Sequence, residues 1–145
     1  MKNNLILFHI TFLLLIFSCQ KQNHDINFIN GYWEIVSVSK NNKNIKKYPF
    51  SNTIDYFEIT NDLSGFRKKV KPKIDGDFNV TFHQINFEIE NDKNEILLIY
   101  GNGNNFTEKI LSLDSLNLRL ENKEGYIFEY KKFKNKNYLN EEKWC

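Results

Sequence analysis

"GYWEIVSV", Gly31 to Val38, is the stretch on which the reading of the fold turns. Aromatic and β-branched residues dominate it, which favours a strand over a helix. It opens a series. Strand signals recur after it at roughly 8–12-residue spacing, the rhythm of a sandwich or barrel. The expected strands are 32–40, 54–60, 66–73, 77–90, 95–100, 106–113, 116–121 and 126–133. The stretches between them are turn chemistry. Asp75-Gly76 is a two-residue hairpin signal, because glycine accepts the positive φ that such a turn demands. "NDLSG", "NDKN", "GNGNN" and "NKEG" are clusters of Asn, Asp and Gly that favour turns for related reasons. Helical spacing never persists for ten residues beyond the N-terminal apolar run.

One segment carries a change of phase. Phe78, Val80 and Phe82 share a face, while Ile85, Phe87 and Ile89 lie on the opposite parity. An extra residue near His83-Gln84 restores the face, as a β-bulge does. Counting 77–90 as one bulged strand gives eight strands, and breaking it there gives nine. Successive short strands joined by tight turns imply antiparallel neighbours. An open sheet of that size leaves two adhesive edges. Closure into an all-β, up-and-down barrel of eight to nine strands removes them, and such a barrel can hold one small ligand. The alternative architecture is a two-sheet sandwich.

Gly31-Tyr32-Trp33 resembles the G-x-W signature of lipocalins and of their bacterial lipocalin-like relatives. "EKILSLDSLNLRLENKEGYIFEYKKF", 108–133, is similar to the closing hairpins of small lipocalin-like lipoproteins of the Bacteroidota, as is "IDYFEI" followed by "GFRKK". The resemblance implies a barrel over 31–133 with a polar tail at 134–145. It also implies that Trp33 plugs the closed end and that an arginine from the last strands lies across it. The chain has two arginines, Arg67 and Arg119, and Arg119 is the better placed by sequence. Gly31, Trp33 and Arg119 are therefore the expected barrel-closing set.

The chain begins with an apolar run of about a dozen residues, Leu5 to Phe17, short of the roughly 20 that a membrane span needs. Lys2 supplies a positive start and Ser18 a small residue, the anatomy of a secretory signal. Leu15-Ile16-Phe17-Ser18-Cys19 resembles the lipobox of bacterial lipoproteins. That resemblance implies cleavage after residue 18, lipid on Cys19, and a tether over 19–30. It also implies a lipid-anchored protein of the cell envelope, with palmitate-like acyl chains. The residues after Cys19 carry little acid, which favours the outer membrane facing the periplasm. Each buried CH₂ contributes about 0.8 kcal/mol, so several acyl chains would anchor the chain stably.

Composition narrows the rest. The whole chain has 20 basic and 18 acidic residues. Removing the signal takes away Lys2 and no acid, leaving about one net positive charge. A near-neutral chain gives no argument for nucleic acid. With Cys19 acylated, Cys145 has no partner within the chain, so no disulfide framework is expected.

No nucleophile elbow or phosphate loop is present. "DGDFN" has its glycine in the wrong place for a calcium loop. His24 and His83 do not make a metal site. No catalytic residue, metal or cofactor is expected. "GFRKKVKPK" alternates Arg67, Lys69, Lys71 and Lys73 against Phe66 and Val70, which suggests a solvated outer face or a docking patch for an acidic partner or lipid headgroup. Two functions follow. In one, the barrel binds a small apolar ligand among Trp33, Phe57, Phe66, Phe82, Phe87, Tyr100 and Phe128. In the other, those rings fill the interior and the surface binds another envelope protein, as an inhibitor or immunity protein would.

Overall fold

The computed structural model describes residues 25–134, apart from 62, 74, 93–94, 102–105 and the side chains of 81 and 82. The signal, Cys19, the tether up to residue 24, Cys145 and the ring of Phe82 therefore lie outside the described residues. A short 3-10 turn, Ile26–Ile29, leads into nine strands. These are β1 (Gly31–Lys40), β2 (Lys43–Lys47), β3 (Ile54–Asn61), β4 (Ser64–Pro72), β5 (Phe78–Asp92), β6 (Glu95–Tyr100), β7 (Phe106–Leu113), β8 (Asn117–Asn122) and β9 (Tyr126–Lys132).

Each strand from β3 to β9 pairs antiparallel with the next, and β1 pairs with both β3 and β9. Eight strands thus close into an up-and-down barrel with no exposed edge of their own. The sandwich is set aside. The eight expected strands correspond to β1 and β3–β9.

The ninth strand, β2, was not expected. Its five residues are all exposed, and only Ile45 is apolar. It forms because β1 outruns its neighbour. β9 follows one edge of β1 from Trp33 to Lys40, but on the other edge β3 covers only Gly31, Tyr32 and Trp33. β2 takes up Ser37 to Lys40 beyond it. Asn41 and Asn42 make the connecting turn with φ of 50° and 58°, a left-handed pair that asparagine tolerates. Lys43, Lys46 and Lys47 then put charge along the free edge, which discourages strand addition.

The phase change in β5 has a different origin from the one expected. Lys68 lies opposite Gln84, and Val70 lies opposite Val80. Three residues of β5 therefore face Lys69 alone. The excess is two residues, so the face is not restored. Ile85 and Phe87 lie opposite Arg67 and Gly65 on the inner face, whereas Phe78 and Val80 lie on the outer one. The outer face has its own aromatic packing to reward this. Phe78 stacks on Tyr32 at 4.2 Å, and Tyr32 meets Tyr56 at 4.7 Å.

The 3-10 turn closes one end of the barrel. Ile29 and Trp33 are fully buried there, and the indole N–H donates to the Ile29 carbonyl at 2.6 Å. Leu98, Leu118 and Leu120 fill the space above them without exposure. Gly65 belongs to this interior for steric reasons. A methyl group on it would overlap the Glu58 carbonyl oxygen and lie 2.7 Å from the Phe87 ring. Gly65→Ala should lower unfolding stability by about 1–3 kcal/mol, the usual range for overpacking, as read from the urea midpoint.

Candidate ligand site at the barrel mouth

Register fixes which side chains face inward. Asp55 lies beside Trp33, Phe57 beside Arg67, Leu98 beside Glu108, and Tyr130 beside Leu118. The interior parity of β3, β4 and β7 therefore delivers an acid, an arginine and a second acid into one space. The Arg67 guanidinium donates to Asp55 at 2.9 Å, to Glu108 at 3.2 Å and to the Tyr130 hydroxyl at 2.8 Å. The Tyr100 hydroxyl donates to Glu108 at 2.8 Å. Lys69 donates to the other oxygen of Asp55 at 2.8 Å. The guanidinium also stands over the Phe57 ring, 5.0 Å from its centre.

The charges are tuned by one another. Burial alone would raise the Asp55 carboxyl, but Arg67 and Lys69 outweigh it and hold the group below its ordinary value. Burial alone would lower Arg67, and the oxygens of Tyr130, Tyr100, Asp55 and Glu108 more than offset that. Burial pushes Tyr100 and Tyr130 up, so both stay protonated and able to donate. Arg67 and Lys69 balance Asp55 and Glu108, the condition under which buried charge is tolerated. A carboxyl held down in the folded state stabilises above its unfolded value, 3.8 for Asp55. That stability is lost as pH falls through the lower folded value. Acid titration of the unfolding free energy should show this loss below about pH 4, and Asp55→Asn should flatten that limb.

These groups form a polar layer across the barrel. On one side lies the filled apolar floor. On the other opens a cavity of about 540 Å³, lined by Asp55, Arg67, Lys68, Lys69, His83, Gln84, Ile85 and Phe106. Its walls come from β3, β4, β5 and β7. It sits at the end where β6 ends and β7 begins, opposite the 3-10 turn.

Several expected site residues are placed elsewhere. Trp33, Phe57, Phe87 and Tyr100 are buried in the floor, with ring centres 6.4 Å apart for Phe57–Phe87 and 5.6 Å for Phe87–Tyr100. Phe128 is half-buried against the same cluster. Phe66 is corrected to the outer face, where it meets Tyr56 at 6.0 Å. It shares with Phe87 the border of a separate groove of about 480 Å³ over β4 and β5.

Arg119 is corrected too. It is half-exposed and paired with Glu129 at 3.2 Å, away from Trp33. Lys132 takes the expected role. Its ammonium stands 4.2 Å from the centre of the Trp33 ring and donates to the carbonyls of Phe28 and Asn30. Arg67, expected on a solvated face with Lys69, instead turns inward. Among the described residues, no group of three His, Cys, Asp or Glu side chains is placed to hold a metal ion.

A closed antiparallel barrel plugged by a G-x-W tryptophan now stands beside a family match. A family model described as "Lipocalin-like domain" matches residues 29–120. The chain belongs to the lipocalin-like family. Among solved structures it is similar to lobster apocrustacyanin A1, at 14% identity and a TM-score of 0.45, over 78% of this chain and 65% of that one. No curated protein matches the chain.

Proposed function

We propose that this lipocalin-like chain is a non-enzymatic binding protein of the cell envelope, anchored by lipid on Cys19, that takes a small ligand in the mouth of its barrel. The observation that carries the binding reading is the cavity of about 540 Å³ above a filled floor. It offers a concave wall with apolar side chains and a few convergent polar groups, the usual make-up of a ligand site. The lipobox-like string ending at Cys19 supports the anchor. Six residue steps separate Cys19 from Asp25, a reach of about 20 Å when extended. The chain enters the barrel at its closed end, so an anchored protein would turn its mouth away from the bilayer, towards the periplasm.

The filled floor favours a second reading, in which the rigid barrel serves as an envelope interaction protein through its surface. Two measurements separate these. Mass spectrometry of the wild-type N-terminus should find acylated Cys19, and Cys19→Ala should abolish the modification. An unmodified terminus at another position would remove the anchor. Saturable binding of a fluorescent apolar probe, lost on blocking the mouth with Ile85→Trp, supports the ligand reading. A stoichiometric protein partner without probe binding supports the surface reading.

A further inference from the structure

The closed end of the barrel carries apolar side chains that the fold does not bury. Phe28 is 44% exposed, Leu63 62% and Leu116 51%. Phe28 lies in the 3-10 turn, Leu63 in the turn from β3 to β4, and Leu116 in the turn from β7 to β8. The other exposed large apolar residues of the described chain are Ile45, Phe50, Val80 and Phe106. They lie in β2, in the loop after it, in β5 and at the mouth.

Hydrogen bonds bring the three turns to one end. Asn30, which closes the 3-10 turn, accepts from the Ile59 N–H near the end of β3. The Phe28 carbonyl accepts from the Lys132 ammonium, and the Lys132 backbone N–H donates to the Leu116 carbonyl. Around the ring of eight strands, the β3–β4 hairpin lies opposite the β7–β8 hairpin. The 3-10 turn touches both β3 and β7. Leu63 and Leu116 therefore stand on opposite sides of this end, with Phe28 on the turn that crosses between them.

The turns themselves are stiff. Asn61 accepts from the Leu63 N–H at 3.1 Å, and Asp114 accepts from the Leu116 N–H at 2.7 Å. Both are Asx turns, which fix the backbone two residues on. Asp25 caps the 3-10 turn through the Asn27 N–H. Stiff turns keep in water apolar groups that a looser loop could fold back onto the barrel. Burial against another surface would remove that cost.

We infer that this end is a docking face for a lipid bilayer, into whose surface Phe28, Leu63 and Leu116 dip. The inference rests on the lipid anchor at Cys19 and adds to it a fixed orientation of the barrel. Two observations name the bilayer as the occupant. Six residue steps from Cys19 to Asp25 hold this end within about 20 Å of the membrane, where even a weak contact stays occupied. The charges at this end are mixed, with Asp25, Asp92, Glu95 and Asp114 beside Lys131, Lys132 and Lys134. The contact is therefore apolar and selects no headgroup charge.

The full-length acylated protein in phosphatidylcholine vesicles tests this. Nitroxide labels are placed one at a time at Ser115→Cys, beside Leu116, and at Glu124→Cys, in the turn from β8 to β9 at the mouth end. Cys145→Ser leaves no other free thiol. Electron paramagnetic resonance should find the label at 115 shielded from a water-soluble nickel chelate and the label at 124 open to it. Phe28→Ser, Leu63→Ser and Leu116→Ser together should lower the docked-to-free ratio about tenfold or more, with flotation of the protein unchanged. Leu63→Ser alone, at the most exposed position, should shift it the same way and leave the urea midpoint unmoved. High salt should leave the shielding in place, and its loss there would contradict an apolar contact. Equal accessibility of the two labels on vesicles that float the protein would overturn the docking face and leave the anchor standing. Shielding at 124 instead would overturn it in favour of docking through the mouth. Protein that fails to float with the vesicles would overturn the anchor and the inference together.

Discussion

Arg67→Met should cost about 3–5 kcal/mol of unfolding free energy, whereas Arg119→Met should cost about 1 kcal/mol or less. Methionine retains the arginine stem as far as the position of Nε, so the first loss is not chiefly one of stem packing. It arises because Asp55 and Glu108 remain buried without their cation, and removing one partner of a buried ion pair has that magnitude. Arg119 pairs with Glu129 at the surface, where such pairs contribute about 0–1 kcal/mol. Lys69 still pairs with Asp55 and limits the damage there. Adding Asp55→Asn and Glu108→Gln to Arg67→Met should therefore recover part of the loss, since neutral amides leave no unpaired charge. Urea midpoints at constant slope provide the comparison.

Trp33→Ala should cost about 3–5 kcal/mol, the range for truncating a large buried ring. For a small domain with a total of roughly 5–15 kcal/mol, that is a substantial fraction. Three contacts fail together. The floor of the barrel loses its plug, the Ile29 carbonyl loses its donor, and Lys132 loses the ring beneath it. Trp33→Phe keeps most of the packing but leaves that carbonyl without the indole N–H, an effect of about 1–3 kcal/mol. Lys132→Met should couple to Trp33→Ala by about 0.5–1 kcal/mol in a double-mutant cycle, because the pair touches directly. Equal effects of Lys132→Met and Arg119→Met in a Trp33 background would argue against this closure.

The barrel was legible in the sequence because its strands alternate and its turns are punctuated by Asn, Asp and Gly. β2 was not, because "KNIKK" has one apolar residue and exists only as a partner for the overhang of β1. The G-x-W tryptophan was legible as a plug. Its cation was not, because a lysine at the end of β9 reads like any other surface charge until the 3-10 turn brings two carbonyls to it.

The polar layer was misread for a related reason. Alternation in "GFRKKVKPK" separates two faces but does not say which one points inward. A signal was available on other strands. Asp55 shares its parity with Phe57 and Ile59, and Glu108 shares its own with Ile110, so two acids sit on apolar faces. Interior acids call for an interior cation, and Arg67 on the parity of Gly65 supplies it. The aromatic surplus was legible as well, but composition could not tell a lined cavity from a filled floor.

The proposed mouth site holds its ligand above the charged layer and not within the barrel. Nuclear magnetic resonance of the isotopically labelled protein titrated with decanoate tests it most directly. Saturable shifts should concentrate at Arg67, Lys69, His83, Ile85 and Phe106, with Trp33, Leu98 and Leu118 unmoved. Largest shifts at Trp33, Leu98 and Leu118, or no saturable shift at the mouth, would contradict it.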